Sequence, residues 1–204
     1  MKIQLFLGRV VVLGLLIGVV GLQLDQRVRA EGPSIVQGDL DQATDHAPMM
    51  TTLKDAVAVM VPTEGNQCRG VVRFVQHGDH VQVRADIEGL DPSAQHAWHI
   101  HEFGDVTDPA GRATGGHYNP ERMRHGLPGN PHRHAGDFGN LVADAQGKVH
   151  AQITMRNISL AGTRNPIIGR GMIIHAKSDD GGQPTGNAGA RISQGVIGIA
   201  SSRP

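Results

Sequence analysis

Histidine is the residue type that stands out in this sequence. The chain has 204 residues and 12 histidines, all of them after position 45. His99 and His101 are separated by one residue, so a strand would place both side chains on one face, about 6 to 7 Å apart. Two imidazoles at that spacing can share one metal ion, because a bond from nitrogen to zinc is ~2.0 Å long. Taken alone, the pair is weak evidence for a metal site, and two solvated histidines are the favoured interpretation.

Further candidate ligands follow this pair. They are His117, His125, His134 and Asp137 in one glycine-rich stretch, and His175 in a later segment. A closed zinc site uses four protein ligands, so this larger set indicates either two metals or several bystanders. Imidazole ligands suit copper and zinc, and an open position on copper suits redox chemistry. We therefore predict metal ligation by this set. The histidines that we expect to be solvated are His46, His77, His80, His96, His132 and His150.

The segments that carry these residues have the pattern of β-strands. Apolar and polar residues alternate over residues 80–88 and again over 148–155, which predicts strands with one wet face. Residues 70–76 precede the first of these across a short turn and complete a hairpin. Further β-rich runs are residues 55–61, 167–176 and 196–200. No segment has a convincing helical period, so we predict an all-β antiparallel sandwich or barrel with two long loops, at 102–140 and 177–191.

The N-terminal segment indicates export. Residues 1–30 hold two early basic residues and an apolar run from Val10 to Leu22, which predicts a signal peptide. The alternative is an uncleaved anchor, so the exported protein is periplasmic, extracellular or tethered to a membrane. Residues 31–51 read as an acidic flexible linker, and residues 52–204 are long enough for one compact domain.

Charge and cysteine content exclude other classes. The chain has 19 basic and 19 acidic residues, which argues against a nucleic-acid binder. Cys68 is the only cysteine, so an internal disulfide is impossible. We predict that Cys68 is a small buried apolar residue, with a reactive thiol or an intermolecular link as the alternatives.

Four ordered motifs resemble those of one family, the copper/zinc superoxide dismutases. They are His99-Ile-His101-Glu-Phe-Gly-Asp105, Gly116-His117-Tyr-Asn-Pro120, His134-Ala-Gly-Asp137-Phe-Gly-Asn140 and Gly186-Asn-Ala-Gly-Ala-Arg191. The resemblance spans about residues 52–200. It implies an eight-stranded Greek-key antiparallel β-barrel that converts two superoxide anions and two protons to dioxygen and hydrogen peroxide. The implied copper ligands are His99, His101, His117 and His175, and the implied zinc ligands are His117, His125, His134 and Asp137.

The resemblance also implies roles for other residues. His117 would bridge the two metals and deliver a proton, and Arg191 would dock the anion near copper. Asp179 would accept hydrogen bonds from two histidine ligands, His99 and His125, although Asp180 is its nearest rival.

Two features of the resemblance concern assembly. Residues 167–169 and 196–200 resemble the dimer contact of the family's eukaryotic-type members, which implies a homodimer. The family's loop-tethering disulfide is absent, because Gly111 and Gln194 stand at the matching positions. The rival function is a non-catalytic copper-delivery or copper-buffering domain on the same fold.

Overall fold

A computed structural model describes residues 53–201, and these form one β-barrel. The predicted signal peptide and linker, residues 1–51, lie outside the described residues. The strands are β1 (Asp55–Pro62), β2 (Arg69–His77), β3 (His80–Glu88), β4 (Gln95–His101), β5 (Asp137–Val142), β6 (Val149–Met155), β7 (Gly171–His175) and β8 (Arg191–Ile199). One short 3₁₀ turn, Arg112–Thr114, is the sole helical element within residues 53–201. No helix in that range is long and apolar enough to cross a membrane.

The eight strands form a single sheet that nearly closes on itself. Their order is β5-β4-β7-β8-β1-β2-β3-β6, and every pairing is antiparallel. The two outer strands, β5 and β6, are consecutive in the chain and contact each other. Strands β3 and β4, and strands β6 and β7, are consecutive but not adjacent, so their connections cross the ends of the barrel in the Greek-key manner. The predicted all-β fold is confirmed.

The barrel interior is built from the apolar residues of the alternating strands. Val81, Val83 and Ala85 of β3 are fully buried, and the polar residues between them face outward. Alternation of this kind places every second side chain on the core face, so burial of the apolar set specifies the register. Trp98 lies in the same core, where its ring contacts Phe138 edge to face and its Nε1 donates to the Phe138 carbonyl.

Three predicted boundaries differ from the structure by more than one residue. The first long loop ends at residue 136, because Asp137 already pairs with β4. Strand β7 begins only at Gly171, since residues 167–170 form a hydrogen-bonded turn. Strand β8 begins at Arg191 rather than Val196, because residues 191–195 pair with β7. The start of β8, residues 191–195, contains small and polar residues, so it lacks the apolar alternation on which the prediction depended.

Cys68 is part of the core, as predicted. Its side chain is 1 % exposed, and burial raises the pKa of the thiol to about 11. The thiolate is the reactive form, and at pH 8 it makes up only about 0.1 % of a thiol with that pKa. We expect the folded chain to resist iodoacetamide at pH 8 and the chain in guanidinium to be fully alkylated, as counted by mass spectrometry. Rapid alkylation of the folded chain would contradict this assignment.

Candidate metal centre

Strand β4 carries the first two predicted ligands. His99 and His101 alternate with Trp98 and Ile100, whose side chains lie in the barrel core. The two histidines therefore point to the opposite face of β4, and both are buried beneath the long loops. Adjacent strands and a loop supply the neighbours. Asp137 of β5 pairs with His99, and His117 forms an isolated bridge with His101.

Four histidines meet beside β4, and we call them the histidine group. They are His99, His101, His117 and His175, and their ligand atoms all lie within 4.8 Å of one another. His175 is the last residue of β7, the strand next to β4. Pairing between β4 and β7 thus brings together side chains that are distant in the sequence. The structure places all four predicted copper ligands in this group.

A second group lies beside the first, and we call it the mixed group. It contains His117, His125, His134 and Asp137, again with all ligand atoms within 4.8 Å. The Asp137 carboxylate lies 2.9 Å from Nδ1 of His117, 3.0 Å from Nδ1 of His125 and 3.2 Å from Nδ1 of His134. His117 belongs to both groups. The structure places all four predicted zinc ligands here.

The hydrogen bonds of the rings leave nitrogens available as ligands. His101 Nδ1 lies 2.9 Å from the Gly115 carbonyl, and His175 Nδ1 lies 3.2 Å from the Gly189 carbonyl. A carbonyl can only accept, so each Nδ1 carries the proton and each Nε2 keeps a lone pair.

Those lone pairs lack other partners. Nε2 of His101, Nε2 of His175 and Nδ1 of His99 are buried without a hydrogen-bond partner. Nδ1 of His125 and of His134 are likewise buried and contact Asp137 without hydrogen-bond geometry. Buried polar atoms are rarely left unpaired. A metal ion in each group would satisfy these atoms, so the residues present fit copper and zinc.

Asp179 joins the two groups from the second long loop. Its carboxylate lies 2.9 Å from Nε2 of His99 and 2.8 Å from Nε2 of His125, so it orients one ring of each group. Asn140 holds Asp179 in turn, because its amide bonds both the backbone N–H and the carbonyl of that residue. A Cβ at Gly186 would lie 2.1 Å from the Asp179 carboxylate, so only glycine fits there.

Asp180, the alternative to Asp179 in the sequence analysis, lies at the surface, where its carboxylate accepts from the side-chain amide of Asn187.

Burial and the carboxylates set the protonation of the rings. Burial, together with the nearby histidines, lowers the pKa of His175 to about 3. Burial also lowers the pKa of His117 to about 4, against the opposing effect of Asp137. For His125 burial again favours the neutral ring, but the adjacent carboxylates of Asp137 and Asp179 outweigh it and raise the pKa to about 9. Both carboxyl groups have pKa values well below the ordinary range, so the site holds two buried negative charges.

Arg191 lies at the edge of the histidine group. It begins β8 and pairs with His175 across β7 and β8. Its guanidinium donates to the carbonyls of Gly111 and Gly115, which belong to the first long loop. Burial lowers the pKa of Arg191 from its ordinary value, but a guanidinium remains charged at neutral pH. A fixed positive charge therefore lies beside the predicted copper ligands.

One of the histidines predicted to be solvated is buried. His77, His132 and His150 are exposed, whereas His96 is only 2 % exposed and its Nδ1 lies 2.9 Å from the His175 carbonyl. The alternation within β4 could have predicted the burial of His96, because His96 lies two residues before Trp98 and therefore on the same face of the strand. His46 lies outside the described residues. Asn140, which hydrogen-bonds Asp179, ends the third motif but is not among the predicted site residues.

Comparison with known proteins agrees with this geometry. The family profile for copper/zinc superoxide dismutase matches residues 68–197. A superoxide dismutase [Cu-Zn] of Paramecium bursaria Chlorella virus 1 is 44 % identical over 139 residues, 65 % of this chain and 73 % of that protein. An extracellular superoxide dismutase [Cu-Zn] of Drosophila melanogaster is 43 % identical over 148 residues, 68 % of this chain and 80 % of that protein.

A solved structure is similar as well. The crystal structure of the clock protein EA4 superposes with a TM-score of 0.66 at 39 % identity, over 73 % of this chain and 96 % of that one. The copper-delivery alternative finds no support in these comparisons or in the one buried cysteine. The match of profile, relatives and fold, together with two adjoining groups of ligands, leads to one conclusion: this chain belongs to the copper/zinc superoxide dismutase family.

Proposed function

We propose that this chain is a superoxide dismutase that holds copper in the histidine group and zinc in the mixed group. The observation that carries the proposal is the pair of buried four-residue groups that share His117. An all-imidazole set suits copper, and a carboxylate added to three imidazoles suits zinc. The reaction consumes two superoxide anions and two protons and yields one dioxygen and one hydrogen peroxide.

When bound, copper supplies one-electron redox chemistry and zinc supplies a fixed positive charge. The residues of the chain do the rest. Arg191 attracts and orients the small anion, because its charge lies beside the histidine group. His117 presents Nδ1 to Asp137, which leaves Nε2 as the ring nitrogen that can hold a proton and give it to the departing peroxide. Asp179 accepts from Nε2 of His99 and of His125, which keeps the lone pair of each ring on Nδ1.

The test of this function is the decay of superoxide in the presence of the full chain. We expect rapid decay when the chain carries one copper and one zinc, and background decay when it carries zinc alone, since only copper cycles between oxidation states. Background decay with both metals bound would contradict the proposal.

We also propose that the protein is a homodimer. Val59 and Phe103 are 61 % and 56 % exposed, and Val196 and Ile199 are exposed as well. The register of β1 and β8, with Val61 opposite Gln194, places Val59 beside Val196. Gly104, next to Phe103, packs against Val196 and Gly169. These residues therefore make one apolar patch on the barrel, of the kind that marks protein interfaces. The patch includes segments that resemble the family's dimer contact.

A charge placed in this patch should separate the subunits. We expect Phe103→Glu to shift the protein from dimer to monomer in sedimentation equilibrium, because burying an unpaired carboxylate in an interface is costly. Val142→Glu is the matched control, since Val142 is also well exposed, at 63 %, but lies on β5. A wild-type monomer, or a dimer that survives Phe103→Glu, would argue against this interface.

Export is a further proposal. Its support is the apolar run from Val10 to Leu22 and the extracellular relative of Drosophila melanogaster. On this proposal residues 1–30 direct export and are removed, residues 31–51 form a linker, and residues 52–204 form the metal-binding domain.

A further inference from the structure

Gln194 holds the first long loop against the barrel through its side-chain amide. It lies in β8, and its side chain is buried. Its Nε2 donates to the Asp108 carbonyl at 3.1 Å and to the Val106 carbonyl at 3.4 Å. These two acceptors precede Gln194 by more than 80 residues, so one side chain joins distant parts of the chain.

A continuous series of hydrogen bonds leads from Gln194 to Arg191. The Asp108 carbonyl that accepts from Gln194 also accepts from the Gly111 N–H at 2.8 Å. The Gly111 carbonyl accepts from Nη1 of Arg191, and the Gly115 carbonyl accepts from Nη2. The position of the guanidinium therefore depends on the loop carbonyls, and the position of the loop depends on Gln194.

Gly111 lies between the two β8 side chains. Its φ is +74°, and a Cβ built on it would lie 3.3 Å from Cδ of Arg191 and 3.4 Å from Oε1 of Gln194. A larger residue there would have to displace one of them. The loop thus contacts β8 through two neighbouring side chains, one of which carries the charge that attracts the substrate.

The amide of Gln194 uses its donors and leaves its acceptor unused. Oε1 is buried and has no hydrogen-bond partner, while Nε2 bonds two carbonyls. Because Oε1 has no partner, only the two bonds from Nε2, to the carbonyls of Val106 and Asp108, hold the amide in place.

We infer that Gln194 is a positioning residue for Arg191, acting through the carbonyls of Asp108 and Gly111. The inference rests on the proposed function, in which Arg191 attracts superoxide. The orientation of Arg191 therefore depends on the hydrogen bonds that one buried amide makes to the loop.

The test measures the chemical reactivity of Arg191 itself. Two variants of the full chain, loaded with copper and zinc, remove both donors: Gln194→Met keeps the length of the side chain, and Gln194→Leu keeps a similar volume. Gln95→Met is the matched control, because Gln95 is exposed on β4. Phenylglyoxal modifies arginine, and mass spectrometry reports the rate at Arg191. Arg191→Lys identifies the modified peptide, and melting temperature and metal content are recorded for each variant.

We expect Arg191 to react about 3- to 10-fold faster in both Gln194 variants, the factor that loss of one ordinary hydrogen bond gives, and at the wild-type rate in the control. Superoxide decay should slow in the same two variants at unchanged metal content. Unchanged reactivity of Arg191 in both, even with a lower melting temperature, would overturn the inference. Faster reactivity in a chain that does not accelerate superoxide decay would sustain the inference and refute the proposed function.

Discussion

Removing both metals from the full chain should lower its melting temperature by about 15 °C or more. A ligand present at 1,000 times its dissociation constant stabilises the folded state by about 4 kcal/mol. Two such ions give about 8 kcal/mol, and each kcal/mol shifts the melting temperature of a chain of this size by about 2–4 °C.

The structure gives this effect a local cause. Two buried carboxylates, Asp137 and Asp179, stand among rings whose ligand nitrogens have no hydrogen-bond partner. A bound cation offsets the cost of burying these charges, which returns when the cation leaves. No disulfide compensates, because Cys68 is the only cysteine, and a native disulfide usually contributes about 2–4 kcal/mol.

Circular dichroism melting curves of the full chain, with both metals and after dialysis against a chelator, measure the difference. Adding copper and zinc back to the dialysed chain should restore the original curve, which separates loss of metal from damage. A melting temperature that does not respond to chelation would show that the two groups hold no structural ion.

Substitutions confined to one group should remove one metal and spare the other. His101 belongs only to the histidine group, and His134 only to the mixed group. We expect His101→Ala to weaken copper binding by at least about 100-fold and His134→Ala to weaken zinc binding by a similar factor, since loss of a ligand exceeds the 10- to 100-fold effect of its hydrogen-bond partners. Metal content after equilibrium dialysis against a metal buffer measures both affinities.

The control for these variants is His150→Ala, because His150 is exposed on β6 and bonds only Asp86. It should keep both metals. If His101→Ala and His134→Ala lost the same metal, the division into two groups would be wrong.

Much of this barrel and its centre could be predicted, because strand alternation is visible in the sequence. The pattern of β3 predicted its buried face. The alternation in β4 predicted that His99 and His101 point to the face opposite Trp98. Two of the four motifs then indicated His117 and His134, which the first long loop contributes. Apolar residues at every second position are a strong local signal, so a strand with one buried face can be predicted without knowing its partner strand.

The remaining features depend on contacts between distant residues. The hydrogen-bond partner of His96 is the His175 carbonyl of β7, and nothing near His96 in the sequence indicates that contact. The hydrogen bonds of Gln194 to Val106 and Asp108 likewise join residues far apart. Only the folded barrel shows which polar side chains hold the first long loop against β8.

The most direct measurement compares superoxide decay for two proteins side by side. One is the full chain with one copper and one zinc, and the other is the His99→Ala variant prepared in the same way. His99 is a member of the histidine group whose ring is held by Asp179. We expect rapid decay with the first protein and near-background decay with the second. Equal decay rates would contradict this expectation, because catalysis would then arise somewhere other than the centre built on β4.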